Sequence, residues 1–190
     1  MANICMTSIR ITGEKEKIEP MWQEFEKVMD NDKDMWLGSL LIHAGKTPGE
    51  CGISCRGNVI FYEYDPGCLS SDTDTAWTPM LGVFRVFADK FCGEGEYNIY
   101  YHAEEPGFGI FSTNDPDYEG SWLIDAWENC GTIPGGFYEV LSDNETNATL
   151  SELLGISPGT EKTQALADKA MEEYDLSVHQ YEYAGIDDYN

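Results

Sequence analysis

A repeated change of hydrophobic period along the first hundred residues constrains the fold more than any other feature. Asn3 to Thr12 sets Ile4, Met6, Ile9 and Ile11 among β-tolerant Thr and Ser, and Gly13 closes it, which reads as a strand. From Glu14 to Asp30 the period lengthens: Ile18, Met21, Trp22, Phe25, Val28 and Met29 recur three and four apart between Glu and Lys. That spacing predicts an amphipathic helix, with Glu14 and Glu16 where the helix dipole favours acidic groups. Trp36, Leu37, Leu40, Leu41 and Ile42 then fit a short helix and a strand equally well. Two strands are expected at 52–56 and 59–65, turning at Gly57-Asn58. The apolar run Val59 to Tyr64 reads as a central strand with both faces largely covered. Pro66-Gly67 ends it, a polar loop covers 70–75, and Pro79–Phe91 carries Met80, Val83, Phe84, Phe87, Ala88 and Phe91 on one helical face. Tyr97 to Ala103 is again a strand.

Strand, helix, strand, strand, helix, strand is the order of a ferredoxin-like plait, an α+β fold whose antiparallel sheet bears both helices on one face. Beyond residue 103 a hairpin is expected from 108–113 and 121–125 around the turn Asp115–Gly120. A short strand at 137–141, helices at 146–155 and 161–174, and a last strand at 178–183 follow. The chain thus divides into a core, 1–115, and an acidic α+β extension, 116–190, packed on it. Trp122, Trp127, Phe137 and Tyr138 are expected to turn inward.

The formal net charge of the 190 residues is -24, unevenly spread. Residues 1–92 hold 9 Lys+Arg against 14 Asp+Glu, whereas 93–190 hold 2 against 21. Such a surface repels nucleic acid, phosphometabolites and anionic lipid, and attracts cationic partners. Five Trp, eleven Tyr and eight Phe argue for a folded chain despite the charge. No run approaches the ~20 apolar residues of a membrane span, and no leader-like segment is seen, so a cytoplasmic protein is expected. In that compartment Cys5, Cys51, Cys55, Cys68, Cys92 and Cys130 are expected as thiols. With no Cys-x-x-Cys and three dispersed histidines, no zinc site is expected.

Several short patterns invite chemistry. Asp115, Asp117, Glu119 and Gly120 fall at positions one, three, five and six of a calcium loop. The twelfth position is Ala126 rather than a bidentate Glu, so a solvated acidic turn fits better. Glu104 and Glu105 follow a strand, but adjacent residues point to opposite sides, which separates the carboxylates. A glutamate bonding to loop N–H groups is the plainer reading. Trp77 and Tyr100 fit either a ligand groove or the core. Gly45-Lys46-Thr47 lacks the glycine a phosphate loop needs five residues earlier, where Leu40 stands. No nucleophile elbow is present, no cofactor motif is seen, and the fold's RNA-binding use needs a basic surface this chain lacks.

Three segments together resemble the YubB-like family. They are Met1-Ala2-Asn3-Ile4-Cys5 entering the first strand, Thr75-Ala76-Trp77-Thr78-Pro79 before the second helix, and Glu104-Glu105-Pro106-Gly107-Phe108-Gly109 after the fourth strand. The resemblance spans roughly residues 1–115 and implies a ferredoxin-like fold in a protein of phages, plasmids or other mobile elements, with no established site residues. Ile4 departs from it, since many members carry Trp there. With the charge, it leads to a non-enzymatic interaction protein presenting an acidic face to a basic, DNA-binding partner, one version being a DNA mimic. The alternatives are an enzyme or divalent-metal protein using the acidic clusters, and an accessory ligand-binding module.

Overall fold

The computed structural model describes residues 3–189. Met1 and Ala2, which open the first of the three motif segments, lie outside the described residues, as does Asn190. The chain forms two compact units: one runs to Asp115 and resumes at Ala184, and the other is Pro116–Tyr183. The expected extension is therefore divided, its last residues belonging with the first unit. The class is α+β.

The elements are β1 (Ile4–Gly13), α1 (Lys15–Asn31), α2 (Leu37–His43), α3 (Pro48–Cys51), β2 (Gly57–Asp65), β3 (Cys68–Ala76), α4 (Leu81–Phe91), β4 (Tyr97–Glu105) and β5 (Ile110–Thr113). They continue with β6 (Trp122–Ala126), β7 (Phe137–Leu141), α5 (Asp143–Leu153), α6 (Thr163–Glu173), β8 (Ser177–Gln180) and β9 (Glu182–Tyr183). One sheet has the order β2-β3-β1-β4-β5-β9, and the ladders from β2 through β5 are antiparallel. Cys5, Ile9 and Ile11 of β1 pack with Ile18, Met21 and Phe25 of α1 and with Phe84 and Phe87 of α4. Alternation then turns Ile4, Met6, Ser8 and Arg10 to the opposite, open face. Ile4 and Met6 are exposed there: β1 is polar inside at Thr7 and apolar outside at its start.

The second and third strands differ most from expectation. No strand forms at 52–56: a capping box at Thr47-Pro48-Gly49-Glu50 starts α3, Gly52 ends it in a left-handed conformation at φ +65°, and 53–56 carry no regular structure. The hairpin turns at Pro66-Gly67, where Gly67 adopts φ +86°. The stretch 70–75, expected as a loop, is the interior strand β3, between β2 and β1. Its buried face is Leu69, Ser71, Thr73 and Thr75. Thr hydroxyls are tolerated there because they find carbonyls: Thr73 donates to Thr7 O at 3.4 Å and Thr75 to Cys5 O at 3.2 Å. The apolar run expected to be central is the edge strand. A β-bulge between Val59 and Phe61 leaves consecutive Ile60 and Phe61 exposed at 51% and 50%.

In the second unit β6 pairs with both β7 and β8, so the expected hairpin of 108–113 with 121–125 does not form. β5 pairs with β4 instead. Trp122, Ile124, Leu150, Leu166 and Val178 make this unit's core, and Phe137 packs against it. Trp127 and Tyr138, expected inside, are 85% and 50% exposed. A capping box from Ser142 to Glu145 starts α5 at Asp143, three residues earlier than its apolar spacing shows. All six cysteines are free thiols.

Candidate functional site

Ladder register arranges the open face of the first sheet in rows. One row runs Asn58, Asp74, Met6, Glu104 and Phe111 across β2, β3, β1, β4 and β5. The next runs Phe61, Asp72, Ser8, His102 and Thr113. A third holds Glu63, Ser70, Arg10 and Tyr100. Glu104, Phe111 and Thr113 are buried, whereas Met6, Ile4, Ile60 and Phe61 are exposed.

The charges on this face are unevenly answered. Arg10 is ion-paired with buried Asp115, whose amide also bonds to Thr113 Oγ1 at 2.9 Å, and the Arg10 guanidinium lies 5.8 Å from the Tyr100 ring centroid. Burial holds the His102 imidazole below its ordinary pKa of 6.5, although the Glu104, Asp72 and Asp115 carboxylates pull it upward. Asp72 and Asp74 have no ion-pair partner among the described residues. Every lysine of the first unit lies on α1 or α4 or in the loops after α1 and α2, and Arg85 lies on α4.

The three motif segments meet at one corner of the sheet. The Trp77 amide donates to Asn3 O at 3.0 Å, and a Cβ on Gly107 would lie 2.1 Å from Asn3 Nδ2. Only glycine fits Gly107's position without displacing that side chain. Trp77 adopts φ +72°, rare for a bulky residue, and Arg56 stacks 4.4 Å from its ring centroid. Trp77 is 41% exposed, so it is not part of the core. Glu105 is buried, and its carboxylate accepts from the amides of Phe108 and Gly107, the latter at 3.2 Å. It holds the turn after β4, while Glu104 takes the opposite, open-face register.

Asp115 is engaged with Arg10 in the first unit, and Asp117 and Glu119 lie in the second. Among the described residues no group of three or more His, Cys, Asp or Glu is placed to hold a metal ion. Burial pushes the Cys5 and Cys92 thiols up to about 11, which suppresses the reactive thiolate. Among the described residues no helix is long and apolar enough to cross a membrane.

Sequence reasoning marks Asp72–Asp74 as an acidic cluster where an enzyme or metal site would be sought, but sets it in a loop, and sets Phe61 in a covered strand; the signal that places them on a face is the alternation Leu69-x-Ser71-x-Thr73-x-Thr75, a strand period hidden by hydroxyls. Comparison with family models, curated proteins and solved structures returns no match.

Proposed function

We propose that this protein is a non-enzymatic interaction module whose open sheet face receives a basic partner. The single observation carrying this is a set of open-face carboxylates with no ion-pair partner among the described residues. Asp72, Asp74, Glu63 and Asp65 occupy the open face of β2 and β3, while the lysines lie with the helices and their loops. Exposed Ile4, Met6, Ile60 and Phe61 beside those carboxylates add the apolar area that gives an interface affinity beyond charge steering. The strand order β2-β3-β1-β4, with α1 and α4 packed on one face, supports reading this unit as a ferredoxin-like plait. A mobile-element origin rests on the YubB-like resemblance alone.

The test is capture from a lysate on the immobilised protein at low ionic strength, followed by a salt gradient. Basic proteins, DNA-binding ones among them, should be enriched and released at moderate salt, because screening weakens exposed charge pairing. The DNA-mimic version further requires that duplex DNA displace the captured protein. A captured set with no basic bias, or retention indifferent to salt, overturns the reading.

A further inference from the structure

The same face also bears on the shape of the partner, an inference that rests on the reading above. Asp72 and Asp74 stand on β3, the middle of three adjacent strands, and both lack an ion-pair partner among the described residues. Two residues apart on a strand, their carboxylates project from the same side roughly 7 Å from one another. Each has one apolar cross-strand neighbour and one polar one: Asp72 lies between Phe61 on β2 and Ser8 on β1, and Asp74 between Met6 on β1 and Asn58 on β2, with Ile60 and Ile4 exposed at the margins. Three strands at about 4.8 Å spacing present a track roughly 10 Å wide, which is the diameter of one α-helix.

We infer that β2, β3 and β1 form a docking track for an amphipathic helix of a partner protein, with Arg or Lys one turn apart along its contact line and apolar side chains on either flank. Successive basic residues at i and i+4 are about 6 Å apart along such a helix, which matches the spacing of the two carboxylates. The apolar flanks dehydrate the charge pairs, and this strengthens them over pairs left in open solvent. The bulge at Val59/Phe61 builds one wall of the track by turning two consecutive apolar residues to the same side.

The experiment uses the full chain and two synthetic helical peptides of identical composition. One carries Arg at i and i+4 flanked by Leu, and the other has the order scrambled. Affinities are measured by fluorescence anisotropy at low and at physiological salt. The patterned peptide should bind at least about tenfold more tightly than the scrambled one, a gap of the size one good buried anchor supplies. Met6→Ser combined with Phe61→Ser should remove that gap, and Asp72→Asn combined with Asp74→Asn should flatten the salt dependence. All four positions are exposed or half-buried, and an unchanged circular dichroism spectrum verifies the fold of each variant. Equal, salt-sensitive binding of both peptides, unmoved by either double variant, sinks the track and leaves the acidic interaction module standing. Failure of both peptides to bind at low salt, with no basic bias in the captured proteins, sinks both.

Discussion

Adjacent strands β2 and β3 have exchanged the compositions their positions would suggest. The edge strand is Gly-Asn-Val-Ile-Phe-Tyr-Glu-Tyr-Asp and the interior strand is Cys-Leu-Ser-Ser-Asp-Thr-Asp-Thr-Ala. An interior strand needs partners for its backbone on both sides and a face that closes against the helices, and it does not need to be apolar throughout. β3 meets the second demand with one large apolar residue, Leu69, and with hydroxyls that reach neighbouring carbonyls. β2 places its surplus apolar area outside, at Ile60 and Phe61, on the face proposed to receive a partner. Hydrophobicity alone therefore ranks these strands in the wrong order, while period and pairing rank them correctly.

Substitutions on the two strands should separate these roles. The largest effect is expected from Leu69→Ala, which empties a fully buried site and should cost about 2–5 kcal/mol in urea denaturation. Thr75→Val keeps the shape but removes a hydroxyl bonded to Cys5 O and to Thr78 O at 2.8 Å, so a loss of about 1 kcal/mol is expected. Ser71→Ala should instead be neutral or stabilising by a few tenths of a kcal/mol, because its buried Oγ has no hydrogen-bond partner. Phe61→Ser, half-exposed on the edge, should change stability by no more than about 0.5 kcal/mol while weakening partner binding. If Phe61→Ser proved as damaging to stability as Leu69→Ala, the division of labour between the strands would be wrong.

The smallest effect concerns pH. His102 lies in the same row as Asp72, and its pKa is depressed in the folded protein, chiefly by burial. The unfolded chain then binds the proton more readily, so stability is full above the ordinary value of 6.5 and declines as pH falls below it toward the folded value. His102→Gln should shallow that decline below pH 6.5 in thermal melts. An unchanged slope would assign the acid sensitivity to other groups.

Much of the fold was legible because α1 and α4 each carry a helical period over nine residues or more, and β1 and β4 are rich in β-favouring residues. What escaped had a local competitor. The left-handed Gly52 that ends α3 opens the strand-like run 52–56, which joins no ladder, and Ser and Asp in β3 mimicked a loop. The site was less legible still. Glu105's grip on the Gly107 and Phe108 amides followed from its place before Pro-Gly, but the open-face role of Asp72 and Asp74 exists only once the register is known. The direction of Trp77 likewise depends on a backbone angle that no composition reveals.

The bulge has a further consequence for solution behaviour. An outermost strand offers unsatisfied amides and carbonyls to any other extended chain, and stacks of copies can grow from such a border into fibres. Here Met35 O accepts the Val59 amide at 2.9 Å, so the near end of the border is already occupied. The extra residue then breaks the regular ladder, and Glu63 and Asp65 bring like charge to the remainder. A molecule that displays this much apolar surface on its broad side is thereby discouraged from polymerising through its rim.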